Sequence, residues 1–198
     1  LKGNFAEAKK NKSLCLLSRN HFDKGWILFE SRWEVESYQL PLASQKPLLD
    51  DFSIQNKVIY IWSEQGVGDQ IIYSSLLLDA LKTKNNFFVS VDPRLISLYE
   101  RSFYGTKNVK FIPTNDRLLE ADYDFHIPIG SLGKFFRDST KAFSNHPSGY
   151  LQSRTDLSET LEKKLRKTNQ RVIGISWLSK NNEIGQAKSF ALADLIPI

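Results

Sequence analysis

A short turn that carries several reactive side chains follows the first long apolar run of this chain. Residues 64–69 read Glu-Gln-Gly-Val-Gly-Asp. Two glycines let a backbone turn sharply and approach a ligand closely, and Asp69 at the start of the next helix can accept a proton. Asp69 is equally suited to be a helix N-cap, whose carboxylate accepts hydrogen bonds from free backbone amides. From the spacing alone, the general-base and the N-cap interpretations are equal.

The residues on either side of the turn predict the elements that position it. Residues 58–62 are apolar, β-branched or aromatic, which is typical of a buried strand, and the apolar segment 71–81 predicts a packed helix. In open α/β sheets a turn of this kind lies at the carboxyl ends of the strands, where ligands bind. The turn is therefore the first candidate for a functional site.

The glycine spacing also invites comparison with dinucleotide-binding turns. Gly66 and Gly68 match the first two glycines of that fingerprint, and Asp92 ends the second predicted strand where a ribose-binding acid would lie. Ile71, however, fills the position of the third glycine. The sequence contains no Gly-x-x-x-x-Gly-Lys-Ser/Thr loop, which disfavours phosphate-loop nucleotide hydrolysis. A nicotinamide- or flavin-dependent enzyme is the weakest of the function hypotheses.

The other potentially reactive side chains form no second motif. His21, His126 and His146 are scattered and, together with Cys15, lack the spacing of a metal site. No Gly-x-Ser-x-Gly elbow supports a hydrolase triad. We therefore expect neither a metal nor a bound cofactor. A single cysteine also excludes an internal disulfide, which is consistent with a cytoplasmic location.

The bulk composition is that of a soluble globular protein. The chain has 198 residues, of which 41% are hydrophobic and 25% charged, and no apolar run reaches the roughly 18 residues that span a bilayer. At most, peripheral membrane contact is expected. The lysines behind the net charge of +5 are dispersed, so nucleic-acid binding is not expected. A start at Leu1 and the absence of methionine predict that the sequence is a fragment.

Strands and helices are predicted to alternate beyond residue 57. The expected strands lie near residues 58–63, 87–91, 109–112, 123–127 and 171–177, and the expected helices near residues 69–83, 93–103 and 156–167 and from Ser189 onward. An Asp156/Glu159 capping box is expected to begin the third of these helices. The alternation predicts an α/β protein with a Rossmann-like, doubly wound and mostly parallel sheet.

The first 36 residues predict a helical hairpin instead. Phe22, Trp26, Phe29 and Trp33 follow helical spacing, and two short helices joined by a brief break form the unit of helical repeat proteins. The predicted organisation is a terminal repeat unit at 1–36, a linker at 37–56, a Rossmann-like domain at 57–168 and the start of a truncated second α/β domain at 169–198.

Several of these segments together resemble one known family. Residues 64–71 closely resemble the EQGxGDxI signature of bacterial tetratricopeptide-repeat (TPR) proteins that carry a glycosyltransferase domain, similar to the ADP-heptose:lipopolysaccharide heptosyltransferases. Residues 25–33 resemble the GWxxYExRW helix that ends the repeat array. Residues 172–177 resemble an xxGLxW strand, and residues 188–192 resemble an RSxxL segment. The matches occur in the family's order and span nearly the whole chain.

The resemblance implies a GT-B arrangement of two Rossmann-like domains. The acceptor would bind the N-terminal domain, and a nucleotide-sugar donor would bind mainly the C-terminal one. Asp69 corresponds to the catalytic base of heptosyltransferases, and Lys188 corresponds to a lysine that contacts the donor diphosphate. The further candidates for substrate or phosphate binding are Gln65, Gly66, Gly68, Ser176 and Ser189.

Two main function hypotheses follow. The first is an inverting glycosyltransferase for hexosyl or heptosyl transfer, acting without a metal on a glycan, lipid-linked glycan or protein acceptor, with possible protein partners at the repeats. The second is a non-catalytic TPR scaffold, or a glycan- or nucleotide-binding protein, with a degenerate transferase domain. Ser75 and Leu78 stand where the family usually has Arg and Pro, which favours the second. The fragment alone is expected to be inactive.

Overall fold

A computed structural model describes residues 5–35, 38, 41–116, 118–144, 149–166, 172–179 and 185–195. The chain divides into two compact units, Leu1–Gln152 and Ser153–Ile198. The domain boundaries predicted at residues 36, 56 and 168 stay predictions.

A four-stranded, all-parallel sheet forms the centre of the first unit. The strands are β1 (Val58–Trp62), β2 (Asn86–Val91), β3 (Val109–Pro113) and β4 (Phe125–Pro128), in the spatial order β3-β2-β1-β4. Each overlaps a predicted strand. The prediction of an α/β protein is confirmed, and the sheet is compatible with a Rossmann-like fold.

The strand order contains one reversal, between β1 and β4. The chain proceeds from β1 through β2 to β3 at one edge and then returns to place β4 on the other side of β1. In the register, Ile61 of β1 therefore lies between Val89 of β2 and Ile127 of β4. In open α/β sheets, ligands characteristically bind outside the carboxyl ends of strands at such a switch point.

Helices cover one face of this sheet. They are α3 (Val67–Ser74) and α4 (Leu77–Ala80) after β1, and α5 (Ile96–Ser102) after β2. The single helix predicted over 69–83 is interrupted, because the Ser75 hydroxyl donates a hydrogen bond to the Ile72 carbonyl and the chain makes a turn there. Fully buried Ile59, Ile61 and Leu77 belong to the core between this face and its helices.

A doubly wound sheet has helices on both faces, whereas mostly irregular chain packs on the opposite face of this one. Tyr60 and Trp62, which alternate with the isoleucines of β1, pack here with Trp33, Leu42 and Tyr123. Apart from Trp33, these partners come from irregular chain before β1 and after β3. This arrangement leaves space for a cavity at the carboxyl ends of the strands.

An antiparallel helical hairpin precedes the sheet. Helices α1 (Ala6–Ser18) and α2 (Phe22–Phe29) are joined at Asn20, which has a left-handed backbone conformation with φ 62°. The second predicted helix tightens into a 3-10 helix at Glu30–Glu34. The aromatic stripe is used for packing, as expected, since Trp26 lies with its ring centroid 6.5 Å from that of Tyr73 on α3.

Trp26 is also held by helix α6 (Gly133–Phe136), which follows β4. Its indole nitrogen donates a hydrogen bond of 2.9 Å to the Arg137 carbonyl. A Cβ atom added at Gly133 would lie 2.5 Å from the indole ring, so the two elements meet at a position where a side chain does not fit. The hairpin therefore packs closely on α6 of the same unit through a glycine contact.

Substituting Gly133 with Ala is expected to lower the free energy of unfolding by about 1–3 kcal/mol, because the anchored indole cannot move away without losing its hydrogen bond. Urea denaturation of the 198-residue chain measures the change. Gly149→Ala is the matched control, since a Cβ there would meet no atom within 4 Å. Equal stabilities of the two variants would contradict this account of the contact.

The described residues of the second unit form α7 (Thr155–Leu165) and two short 3-10 helices, Gln186–Lys188 and Leu192–Leu195. The predicted Asp156/Glu159 capping box is wrong, because Asp156 lies inside the helix and pairs with Arg154 at 2.6 Å. The predicted strand at 171–177 is also absent from its described part, 172–177, and residue 171 is outside the described range. A strand needs a hydrogen-bonded neighbour, and the described residues of this unit include no other strand.

No helix in the described ranges is long and apolar enough to cross a bilayer. The described part of α7 is amphipathic in sequence, yet Leu157, Leu161 and Leu165 on its apolar side are each about half exposed (48%, 52% and 55%).

Candidate functional site

A polar cavity of about 520 Å³ lies at the carboxyl ends of the first three strands. Ser63 and Gln65 follow β1, Asp92 follows β2 and Thr114 follows β3, and all four line the cavity. Tyr60 and Trp62 on the second face of the sheet contribute further walls. The volume is within the range of ~300–1,000 Å³ that is usual for small-molecule sites.

The predicted base, Asp69, lies beside this cavity in the chain but does not line it. Gln65 and Gln70, which flank it in sequence, both do. Helix α3 begins at Val67 with Gly66 as its N-cap, so the prediction of Asp69 as N-cap is wrong by three positions. Its half-buried carboxylate nevertheless accepts a hydrogen bond of 3.2 Å from the Gly66 amide. Asp69 thus caps the helix from inside its first turn.

The turn itself adopts a constrained conformation at Gln65 rather than at its glycines. Gln65 has φ 61°, a left-handed backbone that is uncommon for a residue with a side chain. Its side-chain amide donates a hydrogen bond to the hydroxyl of Tyr38. The Gln65 side chain is therefore oriented by the segment that follows the helical hairpin.

A buried ion pair joins the 3-10 helix that follows α2 to Glu64, the first residue of the turn. Arg32 donates hydrogen bonds from Nε to Glu64 Oε2 (2.8 Å) and from Nη2 to Glu64 Oε1 (2.9 Å), and both side chains are fully buried. The Gly130 amide, just after β4, donates to the same Oε1 atom at 2.8 Å. Arg32 also donates to the Ser131 hydroxyl at 2.8 Å. These groups bridge the carboxyl ends of β1 and β4.

The Arg32–Glu64 pair therefore fills the switch point of the sheet, where a ligand could otherwise bind. Burial acts to lower the pKa of Arg32, but the hydrogen bonds and the negative charge of Glu64 outweigh it and raise that pKa overall. The guanidinium also lies 4.2 Å from the ring centroid of Phe29 and 4.5 Å from that of Trp33. The place where a ligand would be expected is closed, and the open cavity lies instead toward β2 and β3.

Sequence reasoning missed this pairing. Arg32 belongs to the predicted repeat-ending helix and Glu64 to the predicted turn. Neither motif indicated that the two side chains would meet. The available signal was a charge within an aromatic stripe, since Arg32 lies between Phe29 and Trp33 in a helix whose apolar face must be buried. A buried arginine needs an anionic partner, although the sequence does not identify which carboxylate it is.

The carboxylate of Asp92 is the one charged group that lines the cavity in the described part of the chain. Arg94 donates to it from its backbone amide and from two guanidinium nitrogens, at 2.8–2.9 Å. These hydrogen bonds lower the pKa of Asp92 to about 2. Asp92 is consequently ionised at neutral pH and is a weak base.

A buried histidine supports the wall of the cavity from behind. Trp62 Nε1 donates a hydrogen bond of 3.1 Å to Nδ1 of His126, which therefore has to be unprotonated at that nitrogen. Burial lowers the pKa of His126, against the opposing effects of a hydrogen bond with the Lys46 backbone and of the negative charge of Glu120. The neutral imidazole is the form that the fold stabilises.

The free energy of unfolding is expected to fall as the pH falls below about 6.5, the ordinary pKa of histidine. In that range His126 binds a proton more readily in the unfolded chain than in the folded one, so acid favours unfolding, by at most about 1.4 kcal/mol per pH unit for one group. Urea denaturation at pH 7.5, 6.5 and 5.5 measures this. The slope should diminish in His126→Gln and persist in His21→Gln, whose histidine is exposed. Equal slopes in both variants would contradict the assignment.

Gly68 lies in the first turn of α3 and, like Gly66, does not line the cavity. The other predicted residues belong to the second unit. Ser189 Oγ accepts a hydrogen bond from the Ser179 amide (2.8 Å) and donates one to the Gly185 carbonyl (2.7 Å). Lys188 and Ser176 are exposed. The helix predicted from Ser189 onward is only the 3-10 helix Leu192–Leu195 in the described residues, which has a much smaller dipole than an α-helix of several turns. The structure places these three residues in a unit separate from Asp69.

No metal-binding arrangement of three or more His, Cys, Asp or Glu side chains occurs within the described ranges. Comparisons of the chain with known protein families, with curated proteins and with solved structures found no match. What the structure defines is therefore the class alone. It is an α/β protein with a four-stranded parallel sheet and a polar cavity at the carboxyl ends of three strands.

Proposed function

We propose that the chain is the acceptor-side part of an inverting GT-B glycosyltransferase, similar to heptosyltransferases and preceded by the last hairpin of a TPR array. The observation that carries the proposal is the turn after β1. In sequence, Asp69 stands between Gln65 and Gln70, which line a polar cavity although Asp69 itself does not. A carboxylate next to a site for a hydroxyl-bearing ligand is what general-base catalysis of sugar transfer requires.

The proposed reaction is a single displacement. Asp69 takes the proton of an acceptor hydroxyl while that oxygen bonds to the anomeric carbon of the donor sugar. The bond from the anomeric carbon to the nucleotide diphosphate breaks at the same time, and the diphosphate leaves with the bonding electron pair. The sugar is transferred with inversion of configuration, and the proton remains on the Asp69 carboxylate until water removes it.

Asp92, another carboxylate at this edge of the sheet, is a poor candidate for the base. Asp92 accepts three hydrogen bonds from Arg94, and its pKa of about 2 makes it a poor proton acceptor at neutral pH. Asp69 accepts one hydrogen bond from the chain among the described residues, through Oδ2. Its Oδ1 atom is the oxygen that we assign to the acceptor hydroxyl.

The donor side of the proposal depends on the second unit. Lys188, with Ser176 and Ser189, is proposed to contact the nucleotide diphosphate and stabilise its developing negative charge, a function that needs no metal when cations and amides supply it. This part derives from the resemblance rather than from the geometry, since Ser189 already makes two hydrogen bonds within its own unit. The donor would be a nucleotide-diphosphate sugar, and the acceptor a glycan, a lipid-linked glycan or a protein.

A second candidate function is a non-catalytic scaffold or binding protein. The observation that favours it is the hydrogen bond from the Gly66 amide to Asp69, which gives this carboxylate a structural function without any substrate. The helical hairpin would then recruit a partner, and the cavity would hold a glycan or a nucleotide.

Release of nucleoside diphosphate by the full-length protein tests the proposal. ADP-, GDP- and UDP-sugars are incubated with the protein and a panel of glycans, and nucleoside diphosphate is measured with and without acceptor. A transferase shows acceptor-dependent release, which Asp69→Asn removes. Thermal-shift measurements with the same donors distinguish the scaffold, because a protein that does not use a nucleotide sugar need not be stabilised by one.

A further inference from the structure

We infer that the cavity at the carboxyl ends of β1, β2 and β3 binds an uncharged, hydroxyl-rich ring, so that the acceptor is a neutral sugar rather than a phosphorylated one. The inference rests on the proposed function only in identifying the bound sugar as the acceptor. The binding preference itself follows from the charges and hydrogen-bonding groups of the cavity.

The charge of the cavity disfavours an anionic ligand. No lysine, arginine or histidine is among the described residues that line it, while the ionised carboxylate of Asp92 is. Arg94 offers no cation to a second anion, because its guanidinium already pairs with both oxygens of that carboxylate. Sites that recognise phosphate usually supply arginine, lysine or several free backbone amides. A phosphate in this cavity would meet a carboxylate that is already paired, and no unpaired cation among the described lining residues.

At the start of helix α3, the chain's own carboxylate already occupies one amide. The Gly66 amide, the N-cap amide that an anion could use, donates to Asp69 Oδ2 at 3.2 Å. The negative charge of Asp69 also lies in the first turn, where it already interacts favourably with the helix dipole. A second anion at this turn would have to displace the first or be repelled by it.

The polar groups of the cavity suit hydroxyls. Asp92 accepts hydrogen bonds, the Gln65 amide can both donate and accept, and the hydroxyls of Ser63 and Thr114 do the same. The backbone of Asp92 is held in place by the buried Gln70, whose side-chain oxygen accepts a hydrogen bond of 2.8 Å from the Asp92 amide. Sugar hydroxyls, which donate and accept in alternate directions around a ring, match such a mixed set.

The wall of the cavity adds apolar surface for the C–H faces of a sugar ring. Tyr60 and Trp62 line the cavity next to Leu42, and 8% and 4% of each residue remains accessible. Tyr60 packs against Tyr123 with the ring centroids 5.3 Å apart, and Trp62 is fixed by its hydrogen bond to His126. Because these side chains are anchored, little conformational entropy is lost when a ring packs on them.

Ligand-observed and protein-observed NMR on the 198-residue chain test the inference. The probes are glucose, mannose and N-acetylglucosamine, each paired with its own 6-phosphate. We expect at least one neutral sugar to shift the amide signals of Ser63, Asp92 and Thr114. Its 6-phosphate is expected to bind about tenfold more weakly or not at all. Asp92→Asn should reduce this discrimination severalfold, whereas Glu100→Gln, an exposed carboxylate on α5 that lines no part of the cavity, should leave it unchanged.

Two results would overturn the inference. One is binding of the 6-phosphates at least as tight as that of the neutral sugars, and the other is the absence of any shift at the cavity with all three neutral sugars. Neither depends on transfer activity. A neutral sugar that binds without ever being glycosylated would leave this inference standing and remove the transferase proposal, while transfer onto phosphorylated sugars alone would do the reverse.

Discussion

Replacing Asp69 with Asn is expected to lower the rate of sugar transfer by the full-length protein about 10²–10⁴-fold, the usual contribution of a positioned general base. The amide of Asn cannot take the proton of the acceptor hydroxyl. Its side-chain oxygen can still accept the hydrogen bond from the Gly66 amide, so the first turn of α3 stays capped. Acceptor-dependent release of nucleoside diphosphate measures the rate, and urea denaturation measures the fold.

The control for this substitution is Glu100→Gln, which removes the same charge from an exposed position on α5. Its transfer rate should equal that of the unmodified protein. A general base affects the chemical step, so the Asp69→Asn loss should be in kcat rather than in KM for the acceptor. Unchanged transfer in Asp69→Asn would eliminate the base assignment and leave Asp69 as a helix cap.

Breaking the buried Arg32–Glu64 pair is expected to give the largest loss of stability in the chain. Arg32→Ala would leave the Glu64 carboxylate buried with only the Gly130 amide and the Tyr38 hydroxyl as partners. An uncompensated buried charge typically costs about 3–5 kcal/mol, which is a large fraction of the stability of an ordinary domain. Urea or thermal denaturation of the 198-residue chain would show the loss.

An exposed ion pair on the same 3-10 helix supplies the control. Glu34 pairs with Lys9 at 3.5 Å, with both side chains nearly half exposed, so Glu34→Gln should change the free energy of unfolding by less than about 1 kcal/mol. Combining Arg32→Met with Glu64→Leu removes both buried charges and should recover part of the loss. Equal effects of Arg32→Ala and Glu34→Gln would show that the buried pair is not the connection between hairpin and sheet.

The local pattern of the sequence was sufficient for the sheet and its turn. The runs that became β1 to β4 are short, apolar and bounded by turn residues, so strand and parallel connection could be predicted without knowing what packs where. The position of the glycine turn could be predicted as well, because the turn has to lie between the strand Val58–Trp62 and the helix that follows it. Gln65 and Asp69 were thereby located at the correct edge of the sheet.

Features that depend on distant residues could not be predicted in this way. The cavity is lined by the ends of three strands and by residues near Leu42, and its position results from irregular chain covering the second face of the sheet. Helix α3 begins at Val67 rather than at Asp69 because Gly66 supplies the N-cap, a choice that spacing alone does not decide. The predicted strand after α7 has no neighbouring strand in the described part of its unit.

The Arg32–Glu64 pair also has a consequence for the order in which the chain folds. Arg32 finds its partners 32 residues later at Glu64 and 99 residues later at Ser131. Contacts of such long sequence separation form late, because the loops they close must first lose their conformational freedom. The hairpin, although it precedes the sheet in the chain, is therefore expected to dock only after β4 has joined the sheet. Until then α1 and α2 can pack only on each other, and helices of this length are only marginally stable in water without further packing.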